Sequence, residues 1–320
     1  MFVYSLCLVL IVFEVVLWSQ TSLPNATAGT GRRKTVASEL KSLQGGKEHS
    51  RITQYLVQGL DLPVAPLSGS DRVVLKDDLT REELSLLLLT EDDQVLFKKL
   101  LPNNTSGLRH NTCALVGNSV SLLSEERGGE IDRHQAVLRF IDSTSTKYDA
   151  HAGRKRTYLA VTEGSIDAFI PESGFDKAKR PRSKALLIHG DVPVQDYAEL
   201  RKSQPDVQAY YLSPVFDLRV RKAYRTIMKR AMSLGETFSD DRAALDEDGM
   251  PWALMPLFFL TSICKIVFVY GFTAPVAATD LFGPTYYGQA QSVSEHPHGT
   301  QMQYLLRVLS MEGLGIELVS

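Results

Sequence analysis

The run Cys113-Ala114-Leu115-Val116-Gly117-Asn118-Ser119, continued to Asp142 as VSLLSEERGGEIDRHQAVLRFID, decides how the chain is read. It opens as a short apolar strand that stops at Gly117. In α/β proteins ligands bind in the crevice outside the carboxyl ends of such strands. Gly117 permits a tight turn and close approach to the backbone, and Asn118 and Ser119 offer an amide and a hydroxyl at the strand mouth. A second apolar strand, roughly Ala136 to Ile141, follows a polar loop and ends at Asp142.

Further along, apolar runs predict strands at Tyr158–Val161, at Ala185–His189 before Gly190, and through Val207–Leu212. Leu218 to Leu234 has helical spacing and many basic residues (Arg219, Arg221, Lys222, Arg225, Lys229, Arg230), as on a solvated helix face. MPWALMPLFFLTSICKIVFVYGFT, from Met250 to Thr273, reads as a buried helix, then the strand Ile266–Tyr270, then a turn at Gly271. Upstream, Thr80-Arg81-Glu82-Glu83 is a capping box and Thr90-Glu91-Asp92-Asp93 repeats it, so two short helices are expected before Pro102. Strands alternating with helices specify an α/β sandwich around a mostly parallel sheet.

The chain has 320 residues with a net charge of −2, which gives no reason to expect nucleic acid as a partner. Of three cysteines, Cys7 lies in the N-terminal apolar run, leaving Cys113 and Cys264 as either buried thiols or a bridge in an oxidising compartment. Residues 2–18 are almost unbroken apolar sequence with Glu14 the only charge, and would make a helix of about 26 Å, short for a bilayer span. Residues 1–19 are therefore expected to be a signal-anchor or a signal peptide. Arg32, Arg33 and Lys34 follow this run and no base precedes it, so the charge flanks do not favour a cytosolic N-terminus. Residues 20–60 are expected to be a flexible stem and 61–320 the catalytic domain. Sequons at Asn25, Asn103 and Asn104 agree with a lumenal body.

Taken whole, Cys113, Val116-Gly117-Asn118-Ser119, Gly129, Ile131, Asp132, His134, Val137 and Arg139 resemble the large motif of the sialyltransferase family. Cys264, Val267, Tyr270, Gly271 and Phe272 resemble its small motif. The resemblance covers residues from Asn111 onward and implies a GT-A-like variant Rossmann fold that binds the cytidine of a CMP-sialic acid donor near Asn118, Ser119 and Asp142. It implies a Cys113–Cys264 disulfide. It places Pro251-Trp252-Ala253 where the family has Ser-Thr-Gly, which puts Trp252 and Ala253, with Gly271 and Thr273, on the donor side without the hydroxyls. Thr285 stands at the family's phosphate-contacting histidine. The general base is implied to be His298, five positions before Gln303, or else His296, five before Gln301; in both registers glutamine replaces the family's glutamate.

The activity so implied is inverting transfer from a CMP-sugar, sialic acid or a related acid such as Kdo, to a glycoprotein or glycolipid glycan. The resemblance further implies that no metal or other cofactor takes part and that the enzyme is a single-pass type II Golgi membrane protein. Two alternatives stand beside it: a catalytically degenerate binding member, and a metal-dependent transferase using the DxD tripeptide Asp246-Glu247-Asp248.

Overall fold

The computed structural model describes residues 46–62, 73–105, 107–140, 146–170, 183–190, 192–238, 250–272, 299–311 and 313–319. Seven parallel strands form one sheet: β1 (His110–Val116), β2 (Ala136–Phe140), β3 (Tyr158–Val161), β4 (Ala185–Ile188), β5 (Gln208–Tyr211), β6 (Cys264–Tyr270) and β7 (Ile316–Val319). Their spatial order is β5-β4-β3-β2-β1-β6-β7. The chain thus lays down β1 to β5 in one direction, returns, and adds β6 and β7 on the other side of β1. β1 and β6 are the neighbours from which it leaves in opposite directions, and that reversal opens a crevice at their carboxyl ends.

Parallel strands covered on both faces read as continuous apolar runs, and β2, β3 and β4 are buried throughout. On one face Cys113 and Leu115 of β1 join Leu138, Ala160 and Leu187 in the largest apolar cluster. The helices Pro214–Ser233, Leu254–Ile263 and Gly299–Met311 pack there. On the other face Ala114, Val116 and Val137 pack with Leu122, Ile131 and Tyr270. All ten residues of Leu254–Ile263 are buried, as expected of a helix that is apolar around its whole circumference.

Local signals hold where the sequence carries them. Thr80 and Glu83 form the expected reciprocal box at the head of Arg81–Leu86. Thr90 caps Glu91–Leu100, its hydroxyl accepting from the Asp93 amide at 3.2 Å. The basic helix begins earlier than Leu218: Ser213 caps it and Pro214 occupies its first turn, a position whose missing N–H costs nothing. Its cations are also less solvated than expected. Arg221 pairs with Asp217 at 2.7 Å, and Arg230 donates to the carbonyls of Tyr55, Leu56 and Gln58 at 2.9–3.1 Å. Those acceptors lie at the end of helix Gly46–Val57, whose Leu56 is buried against Ala231 and Val308. Folded structure therefore reaches back into the segment read as stem. The apolar run 2–18 and Asn25 lie outside the described residues. Among the described residues no helix is long and apolar enough to cross a membrane.

Candidate active site

β1 ends at Val116 beside Tyr270 of β6, and Arg139 of β2 lies on its other side. The Gly117 amide donates to the Tyr270 carbonyl at 2.8 Å, and the Ser119 amide donates to the Gly271 carbonyl at 3.1 Å. The two strands thus remain joined one step beyond the sheet. A Cβ on Gly117 would overlap the Gly271 carbonyl oxygen and lie 2.9 Å from the Phe272 ring, so only glycine fits between these chains. Gly271 has φ +71°, and a Cβ there would lie 2.7 Å from Leu122. Ser119 starts the 3-10 turn Val120–Ser124, its hydroxyl accepting from the Ser121 amide at 3.2 Å. Asn118 is half-buried beside it.

Three rings line the same end of the sheet. Phe140, the last residue of β2, meets Trp252 edge to face with centroids 4.1 Å apart and faces Phe272 at 6.4 Å. Trp252 is 43% exposed while the adjoining Ala253 is buried. Ala253 occupies the cap position of Leu254–Ile263 and provides no side-chain hydrogen bond, which the hydroxyls of a Ser-Thr-Gly sequence are suited to make.

The structure therefore brings together Asn118, Ser119, Trp252, Ala253 and Gly271, all at the carboxyl end of β1, β2 and β6. Asp142, Thr273, Thr285, His296, His298 and the Asp246–Asp248 tripeptide lie outside the described residues. The Cys113 and Cys264 sulfurs are bonded, with Cα atoms 6.1 Å apart, and tie the strands on either side of the reversal. Asn103 and Asn104 are exposed on the loop that leads into the amino end of β1, away from the crevice. Among the described residues no group of three or more His, Cys, Asp and Glu side chains is placed to hold a metal.

Several motif positions are structural. The Asp132 carboxylate accepts from the amides of Arg154 and Lys155 at 2.8–2.9 Å. Arg139 is fully buried within β2 and donates to the carbonyls of Ala152 and Lys155 at 2.5 and 2.9 Å. A buried guanidinium is tolerable only with such acceptors, and Asp132 adds a countercharge at 3.8 Å.

One network has no forerunner in the sequence reading. Tyr270 of β6 donates its phenol proton to Glu130 at 2.8 Å, and its oxygen lies 2.9 Å from Nε2 of His134. With that proton spent on Glu130, His134 Nε2 carries its own and donates to the phenol oxygen. The His134 ring also rests 4.6 Å from Phe268. Burial, with the Glu130 hydrogen bond, holds the Tyr270 phenol above its ordinary range. Burial lowers His134, Glu130 opposes it, and Lys155 and Arg133 reinforce it. The large-motif loop and the small-motif strand are thereby latched together.

At the carboxyl end of β4, His189 is buried and, among the described residues, its Nε2 has no hydrogen-bond partner. Desolvation, with Arg221 nearby, pushes its pKa down to about 4. It is a neutral core imidazole near neutral pH.

The model of glycosyltransferase family 29 (sialyltransferase) matches residues 79–310. Human alpha-N-acetylgalactosaminide alpha-2,6-sialyltransferase 6 is 26% identical over 185 residues, 55% of this chain and 52% of that protein. Sialyltransferase-like protein 1 of Arabidopsis thaliana is 29% identical over 169 residues, 52% of this chain and 28% of that one. The chain spans about half or less of the length of these relatives. A crystal structure of a mammalian sialyltransferase in complex with Gal-beta-1-3GalNAc-ortho-nitrophenol superposes with a TM-score of 0.51, covering 78% of this chain and 90% of that one. Identity there is 17%, so the likeness is one of fold.

Proposed function

The chain belongs to glycosyltransferase family 29, the sialyltransferases, and from that premise we propose that it transfers an acidic nonulosonic or Kdo-type sugar from a CMP-linked donor to a glycan hydroxyl. The observation that carries the reading is the reversal of strand order between β1 and β6. It directs Gly117-Asn118-Ser119 and Gly271-Phe272 into one crevice, of the kind in which doubly wound sheets hold nucleotides. Asn118, Ser119 and Asp142 contact the nucleotide. Gly271, Thr273 and the Trp252–Ala253 turn form the donor side, with Thr285 toward the phosphate.

The chemistry asked of the protein is modest, because CMP is a good leaving group. His298, with His296 as the alternative, takes the proton of the acceptor hydroxyl as that oxygen attacks the anomeric carbon. The bond from that carbon to the phosphate oxygen breaks on the opposite face, CMP departs with the electron pair, and configuration inverts. No metal takes part. The acceptor is a glycoprotein or glycolipid glycan, and the compartment is the Golgi lumen, reached through an N-terminal membrane anchor, with glycans at Asn25, Asn103 or Asn104.

A transfer assay offering CMP-sialic acid, CMP-Kdo and a UDP-sugar tests this directly. CMP-donor turnover that persists in EDTA and is lost in His298→Ala is the expected outcome. Turnover with the UDP-sugar alone, abolished by EDTA, would replace this reading by the metal-dependent one at Asp246 and Asp248. The cap position at Ala253, bare of any side-chain hydrogen bond, favours one further reading, a member that binds CMP without transferring sugar. Calorimetric binding of CMP with no donor consumed would establish it.

A further inference from the structure

Trp252 stands where the surrounding residues explain burial but not exposure. Pro251 and Ala253 on either side of it are buried, as is its ring partner Phe140, yet the indole is 43% exposed. A lone exposed indole is ordinary on a protein surface. This one, however, lies at the carboxyl end of β2, joined through Phe140 to Phe272, whose ring packs over the Gly117 turn. Its contact with Phe140 is perpendicular, at 86°, so Phe140 covers at most one face of the indole. The same strand ends carry Asn118, whose amide has both donor and acceptor character.

A flat apolar face at the same strand ends as an amide suits a heteroaromatic base: the ring stacks and the base edge is read by hydrogen bonds. The Pro251-Trp252-Ala253 turn has no hydroxyl to offer a ligand, so what it contributes by its side chains is area.

We infer that Trp252 is a stacking platform for the nucleobase of the donor, a specificity residue that supplies by ring contact what this turn lacks in hydroxyls. This rests on the CMP-donor reading above and deepens it. Stacking of a base on an aromatic side chain is worth about tenfold or more in affinity.

Trp18 and Trp252 are the only two tryptophans, so the full-length Trp18→Phe chain reports on Trp252 alone. In that chain CMP should quench tryptophan emission saturably, whereas free sialic acid and inorganic phosphate should not. By calorimetry, Trp252→Ala should weaken CMP about tenfold or more and Trp252→Phe by clearly less. The inference is overturned if Trp252→Ala binds CMP within about twofold of its parent. It is also overturned if a galactose-terminated disaccharide quenches and CMP does not, which would put the ring on the acceptor side. Should Trp252→Ala fail to fold, the quenching pattern and Trp252→Phe still decide. If the parent chain binds no CMP at all, the donor reading falls and takes this inference with it. CMP binding that is indifferent to Trp252 sinks the inference alone.

Discussion

Replacing Cys113 and Cys264 together by alanine opens a covalent loop with a sequence separation of 151. In the chain-entropy treatment a loop of that length removes about 17 cal/mol/K from the unfolded ensemble, or about 5 kcal/mol at 25 °C. Both cysteines are buried, so the small voids left by the sulfurs add to the loss. For a body of this size each kcal/mol moves Tm by about 2–4 °C, and the variant should therefore melt about 10–20 °C lower. The backbone pairing of β1 with β6 and the Gly117-to-Tyr270 and Ser119-to-Gly271 bonds do not depend on the sulfurs. CMP affinity measured well below the lowered Tm should thus stay close to that of the parent. Calorimetric melting without reductant, paired with CMP titration at low temperature, checks both halves. An unchanged Tm would refute the entropic argument. A normal folded baseline with CMP binding abolished would show that the bridge holds the crevice open, rather than acting through the unfolded chain.

Gly117→Ala places a methyl group against the Gly271 carbonyl and the Phe272 ring, so it should cost about 1–3 kcal/mol in a urea melt and weaken CMP binding as well; a neutral result would mean the turn is looser than described. His189 stays neutral in the fold down to about pH 4, while the unfolded chain protonates it near 6.5. Its contribution is therefore complete above about pH 6.5 and declines as pH falls to 4, by about 3 kcal/mol in all. Urea midpoints at pH 7 and pH 4.5 should show that decline in the parent and a flatter profile in His189→Gln; equal slopes would contradict it. Tyr270→Phe removes the proton given to Glu130 and the acceptor facing His134, and should cost about 1–2 kcal/mol of stability. A double-mutant cycle with Glu130→Gln that returns no coupling would break the proposed latch.

Much of the sheet was legible because buried parallel strands advertise themselves as short apolar runs. Tyr158–Val161 is found where its run predicts it, and β1, β2, β4, β5 and β6 differ from expectation only at their ends. β7 went unread: Ile316–Val319 is four residues long, interrupted by Glu317 and preceded by Gly313 and Gly315, and only pairing with β6 makes it a strand. The helix Gly46–Val57 was hidden for a similar reason, since its sequence is mostly polar and its place is set by contacts to two later helices. Asn118 and Ser119 follow from the strand that stops at Gly117, Trp252, Ala253 and Gly271 from motif order, and the fold gathers them at one edge. The Glu130–Tyr270–His134 latch is not legible in the sequence, because Tyr270 is 140 and 136 positions from its two partners and their places in the two motifs do not show that the side chains meet.

By itself, then, the sequence determined what depends on neighbours within a few positions: the capping threonines, the alternation of strand and helix, the glycine turn, and the paired motifs that declare the family. The Cys113–Cys264 bond that the resemblance implies is present, but only the tertiary structure decided the strand order, the face each motif residue shares, and the structural duty of Arg139 and Asp132. The physical reason is that caps and periodicity are satisfied within one turn or one strand. A crevice, by contrast, exists only once strands distant in the chain have been laid side by side and their buried polar groups have found partners.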